Sequence, residues 1–125
     1  MHTAETTGSD YRPLTAEERD VIAWMLEHGP PGATNFIPQI PDITARSSCT
    51  CGCPSIEFNV PLESPYIELP LSFRICCSGV SEGHRVGMML TAGNGVLSDL
   101  EVYTFGEIDH PFGLPDMASL SVDAW

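Results

Sequence analysis

The sequence predicts an α+β domain, an N-terminal helix packed on a four- to five-stranded, mainly antiparallel sheet. Three observations carry this. Apolar residues recur at helical spacing over residues 15–28. From about residue 43 they recur every second residue instead. Gly93-Asn94-Gly95 then divides two of the alternating runs, as a hairpin turn would. Strands do not alternate with long helical patterns, which argues against a doubly wound fold.

Residues 1–13 are expected to form a flexible tail and residues 14–125 a single domain. The helix has a start, a face and a stop. Thr15 suits the N-cap and Glu18 completes a capping box. Glu17, Glu18 and Asp20 place negative charge at the positive end of the helix dipole. Val21, Ile22, Met25 and Leu26 make the apolar stripe, with Trp24 beside it. Gly29 suits the C′ position and Pro30-Pro31 forbid continuation. Ala33 to Ile40 allow a short helical turn, limited by Pro38 and Pro41.

The strands follow by parity. Ile56, Phe58 and Val60 alternate with polar residues, as do Ile67, Leu69, Leu71, Phe73, Ile75 and Cys77. Pro70 suggests an edge or a bulge near the start of that longer run. Val86, Met88 and Leu90 mark another strand. Leu97 to Phe105 return from the glycine turn, with an irregularity expected near Ser98-Asp99. Gly106 to Trp125 are expected to wrap the surface, with one helical turn at Asp116 to Leu120.

Composition narrows function more than it names it. The chain has 125 residues, 17 of them acidic and five basic, for a formal net charge of −12, and all the basic residues are arginine. A chain of 13.5 kDa should expose about 6,500 Å² folded against about 19,600 Å² extended, enough burial to fold without disulfide or metal. Five scattered arginines are not the basic footprint of a nucleic-acid binder. Acidity also disfavours anionic membranes, and no apolar run approaches the ~20 residues of a membrane helix. A polar N-terminus without an export signal, together with an odd cysteine count, predicts a cytoplasmic protein. The charge suits a basic protein partner. It is uneven: Asp99, Glu101, Glu107, Asp109, Asp116 and Asp123 follow Arg85, and no basic residue does.

The chemically prominent motif is Cys49-Thr50-Cys51-Gly52-Cys53-Pro54. On an extended strand the three thiols would share a face at about 6.5–7 Å per step. Zinc-bound thiolates sit about 3.8 Å apart, so Cys49, Cys51 and Cys53 could hold Zn²⁺ only around a turn, for which Gly52 and Pro54 are suited. The cluster admits four roles: small half-buried hydrophobes, a metal site, a thiol redox site, or a nucleophile. Parity puts these cysteines with Ser55, Glu57 and Asn59 on a polar face if the strand is unbroken. Cys76 and Cys77 should point to opposite faces, so at most one could join them.

Glu101, Tyr103 and Phe105 share one parity of the last strand, opposite Leu100 and Val102. A carboxylate beside two aromatic rings makes a candidate binding surface, or else a face packed under a C-terminal segment. Asp99 and Glu101 also share that stretch as a carboxylate pair, and Asp109-His110 beside Glu107 could form an acid–base pair in a loop; His84, also read in a loop, could be a fourth metal ligand only if the fold brings it near the cysteines. No phosphate loop, nucleophile elbow, zinc-protease or dinucleotide motif is present. No catalytic residue is therefore assigned.

Three motifs together, L-T-x-E-E-R at Leu14 to Arg19, C-x-C-G-C-P at Cys49 to Pro54 and L-x-x-L-E-V-Y at Leu97 to Tyr103, resemble a family of small uncharacterised bacterial proteins. The resemblance spans most of the chain from residue 14 and implies a small bacterial cytoplasmic domain. It transfers no site. The expected function is a non-enzymatic binding or interaction domain. The alternatives are a metal- or thiol-dependent protein using Cys49, Cys51 and Cys53, and a small enzyme with a pocket between helix and sheet.

Overall fold

A computed structural model describes residues 11–48, 53–61, 72–106 and 111–125. Among these residues, seven strands form one antiparallel sheet in the order β1-β2-β3-β6-β5-β4-β7. They are β1 (Arg12–Pro13), β2 (Thr44–Ser47), β3 (Ile56–Asn59), β4 (Phe73–Ser81), β5 (His84–Gly93), β6 (Val96–Thr104) and β7 (Ser121–Ala124). The class is α+β as expected, but four to five strands understates the sheet. The additional strands, β1, β2 and β7, have two to four residues each. Arg12–Pro13, assigned above to the tail, pair with Thr44–Ala45, and Ser121–Ala124 pair with the outer edge of β4. Segments of two to four residues carry too little alternation to read, and their register comes from the neighbour they pair with.

The helix α1 (Ala16–Glu27) has the predicted capping box: Thr15 Oγ1 accepts from Glu18 N, and Glu18 Oε1 accepts from Thr15 N. Val21, Ile22, Met25 and Leu26 are fully buried. The stop falls where expected, with His28 as C-cap and Gly29 at C′, but its conformation differs. Gly29 does not adopt a left-handed conformation; Gly32 does, at φ 91°. Gly29 is needed for space, because a Cβ there would lie 2.5 Å from Ile75 Cδ1. This close approach seats the helix end on β4. Glu18 has a second task. Arg12 donates to both its carboxylate oxygens at 2.8 and 2.9 Å, tying β1 to the first turn of α1. Burial pushes the Glu18 carboxyl up, but Arg12 and the Thr15 amide outweigh it and hold the pKa below the usual range.

Residues Ala33–Asp42 form a ten-residue 3₁₀ helix rather than a single turn. Pro38 and Pro41 lie inside it on the exposed side, while Ala33, Phe36, Gln39 and Ile40 are buried. Phe36 meets Phe73 edge to face at 5.0 Å. Gln39 is completely buried and fully used: Nε2 donates to Gly95 O at 2.9 Å, and Oε1 accepts from Leu97 N at 3.1 Å. One side chain thus joins the helical layer to the tip of the β5–β6 hairpin.

The central meander is closed by two tight turns. Asn94 and Gly95 have φ 55° and 82°, and Glu82 and Gly83 have φ 51° and 82°. Both suit the primed turns that match strand twist. The first was legible in the sequence. The second was not, and His84, read as a loop residue, instead begins β5. β6 carries the expected irregularity: Thr91 pairs with Asp99 but Ala92 pairs with Leu97, leaving Ser98 as the extra residue. Its hydroxyl donates to Thr91 O at 3.1 Å. The C-terminal segment includes the short 3₁₀ turn Met117–Ser119 before β7. It is fastened to the end of β4 by Asp116 N to Val80 O and Val80 N to Ser119 Oγ, both at 2.8 Å.

Two outcomes follow for stability. Replacing Gln39 with Leu keeps much of its volume but leaves a buried carbonyl and a buried amide unpaired. It should cost about 2–4 kcal/mol in denaturant unfolding with an unchanged m-value. Glu18 is depressed in the folded state, so its stabilisation is complete above its unfolded pKa of about 4.3 and is lost as pH falls through its folded value. Glu18→Gln should therefore cost on the order of 1 kcal/mol at pH 7 and progressively less in urea titrations repeated from pH 4.5 downward.

Candidate functional site

Both helices bury their apolar residues against one side of the sheet, together with Ala45, Ile56, Ile75, Cys77, Val86, Met88, Leu90, Leu100 and Val102. The opposite side consists of residues of the other parity, and among the described residues it carries no helix. Arg46, Glu57, Asp99, Thr91, Met89, Cys76 and Tyr103 are half-buried there, and Arg74, Arg85, Glu101 and Phe105 are exposed. Glu101 and Tyr103 project from β6 on this open face, with Phe105 just past its end, because the bulge at Ser98 precedes all three.

Tyr103 lies down across its neighbour. It pairs with Gly87 of β5, and a Cβ on Gly87 would meet Tyr103 Cε2 and Cζ at 2.4 Å and the hydroxyl at 2.7 Å. No other residue type leaves room for the ring. Beyond Gly87 comes Ser78 of β4, whose hydroxyl donates to Asp123 Oδ1 of β7 at 3.3 Å. Glu101 on its own strand and Asp123 from the far edge both act electrostatically on the phenol. Phe105 stands edge-on to it, with centroids 5.6 Å apart, and the Arg85 guanidinium lies 4.8 Å over the Phe105 ring. Burial raises the Tyr103 pKa, and neighbouring Cys76, Asp123 and Glu101 raise it further, so the phenol stays neutral.

Farther along the face Arg46 pairs with Glu57 across β2 and β3 and stacks at 4.8 Å over the Tyr11 ring. Arg46, Ser47, Ser48 and Glu57 line a shallow cleft of about 420 Å³. Asp99 sits directly opposite Glu57. Burial lifts its pKa above the ordinary carboxylate value; Glu101 and Glu57 add to this, while Thr91 and Arg74 oppose it.

Cys49 and Cys51 lie outside the described residues, as do Glu107, Asp109 and His110. Cys53 is half-buried, and its Sγ donates to Ser55 Oγ at 3.4 Å. Ser55 departs from the polar-face expectation. It is buried, donating to Val102 O at 3.1 Å and accepting from Val102 N at 2.8 Å, so its side chain prolongs the short β3–β6 ladder. Among the described residues no group of three or more His, Cys, Asp or Glu is placed to hold a metal ion. Cys76 and Cys77 do face opposite ways. Cys77 is in the core, where burial first and then Asp123 and Cys76 push its thiol to about 12. The helix–sheet interface, the place for a small enzyme's pocket, is occupied by the packed side chains of the core.

Compared with known proteins, the chain matches no family model, no curated protein and no solved structure. No described helix is long and apolar enough to cross a membrane.

The sequence groups Glu101, Tyr103 and Phe105 by parity and places Asp123 among the acids after Arg85, but it does not join Gly87 or Asp123 to that row. Gly87 carried a usable signal, a glycine inside an otherwise strict apolar alternation, which marks a close approach. Asp123 stands out only as one acid of the C-terminal third, because its bond to Ser78 spans 45 residues of chain. Substituting Gly87 with Ala should lift the Tyr103 ring and cost about 1–3 kcal/mol. In a Tyr103→Ala background the same substitution should cost far less, a coupling that a double-mutant cycle of urea midpoints would measure.

Proposed function

We propose that this chain is a binding module whose open sheet face docks a basic protein partner. The observation that carries this is the row of exposed Glu101, half-buried Tyr103 and exposed Phe105 on the side of the sheet that carries no described helix. Aromatic rings supply contact area at low entropic cost, and carboxylates beside them choose the partner's sign. The net charge of −12 supports the same sign by steering cations towards the molecule. The sparse arginines do not undo this. On the face, Arg46 is paired with Glu57, Arg85 is stacked on Phe105, and the exposed Arg74 acts on Asp99, whose carboxyl it holds down.

The test is isolation of the tagged chain from its native cell at low and moderate salt, alongside two variants. Met89→Arg places a large cation at the half-buried middle of the face, opposite Glu101 and Cys76. Asp20→Asn alters only the exposed side of α1. A basic protein should be retained by the wild-type chain and by Asp20→Asn, lost with Met89→Arg, and weakened by salt. Retention by Met89→Arg, an acidic partner, or no partner at all would overturn the reading.

A further inference from the structure

The open face contains one position built to take a single charged group. Tyr103 is held flat by the missing side chain of Gly87, so one side of its ring rests on backbone and its exposed part faces outward. Glu101 stands two residues before Tyr103 on the same face of β6, Asp123 of β7 accepts from Ser78, the residue paired with Gly87, and both carboxylates are exposed and act electrostatically on the phenol. Two of the acids that follow Arg85 in the sequence are thus gathered at one aromatic platform by the strand order β6-β5-β4-β7. The adjoining ring shows what this chemistry attracts: Phe105 already holds the Arg85 guanidinium over its face at 4.8 Å.

We propose that Tyr103, Glu101 and Asp123 form a receptor for an arginine side chain of the partner, the guanidinium lying on the Tyr103 ring and donating to the two carboxylates. This rests on the docking function proposed above and names the residue that function recognises. A guanidinium is planar, so it stacks on a ring while its edge N–H groups reach carboxylates in the ring's plane. An ammonium is a compact point charge that cannot do both as well, and it loses more hydration on leaving water. The electron-rich ring face and the two acids act in the same direction, as in cation-binding aromatic sites generally. Ser78 supports the geometry by holding the Asp123 carboxylate through its hydroxyl at 3.3 Å.

The experiment is an NMR titration of the full chain with a capped peptide carrying three arginines. The same peptide with citrulline and with lysine in their place serves for comparison. The arginine peptide should shift the Tyr103 ring protons and the Glu101 and Asp123 amides. The neutral citrulline peptide should not, and the lysine peptide should bind more weakly. Tyr103→Leu should weaken the arginine peptide about fivefold or more. Glu101→Gln and Asp123→Asn, exposed substitutions that leave the core untouched, should each weaken it too, while Glu17→Gln on α1 should not. Equal binding of citrulline or lysine peptides overturns the assignment, as does unchanged affinity in Tyr103→Leu. The two proposals fail separately. If the arginine peptide does not bind through Tyr103 but a basic partner is still lost with Met89→Arg, this receptor is wrong and the docking face stands. If neither occurs, both fall.

Discussion

The constraint on which this structure depends is that β6 must keep one side apolar through a change of parity. Leu97 lies an odd number of residues from Leu100 and Val102, so an uninterrupted strand could not bury all three. Ser98 absorbs the mismatch as an extra residue, and Leu97, Leu100 and Val102 are then 0–2 % exposed. Everything on the other side of the strand follows. Asp99 meets Glu57 and Thr91, Glu101 meets Met89, and Tyr103 meets Gly87. The candidate site is the reverse side of a packing solution.

Two buried polar side chains hold that solution in place. Gln39 spends both ends of its amide on the hairpin that precedes the bulge, and Ser55 spends its hydroxyl on Val102 beyond it. Each satisfies a backbone donor and a backbone acceptor that no strand neighbour takes. Buried amides and carbonyls left alone would oppose folding more strongly than the bonds themselves favour it. The 3₁₀ helix and β3 are thereby fixed to β6 at two points by polar contacts, while hydrophobic burial does the bulk of the work elsewhere. Glu18 plays a similar part at the periphery, where it serves as both helix cap and anchor for β1.

The edge strands add what the core does not need. β7 contributes little burial, with only Val122 packing partly inward, yet it carries Asp123 to the open face. The C-terminal segment before it is firmly attached to Val80 and Ser81 of β4. A strand that adds little to the core but delivers a carboxylate beside an exposed aromatic ring is placed in a way that packing alone does not require. Cys76, with no core role either, faces the same region, while Cys77 is committed to the interior.

Much of this was decided locally and could be read from the chain. The capping box of α1, its buried stripe, the glycine turn and the parity of β6 rest on residues within a few positions of one another, where spacing alone sets geometry. Even the irregularity at Ser98 was visible, as a conflict between Leu97 and Leu100. The tertiary structure decided the rest, for reasons of distance. Arg12 and Ser121 have no local periodicity, and only a partner strand gives them register. Gly87 and Tyr103 are ordinary residues until pairing lays one across the other. Glu101 and Asp123 are two acids in an acidic stretch until β4 and β5 bring both to act on one ring.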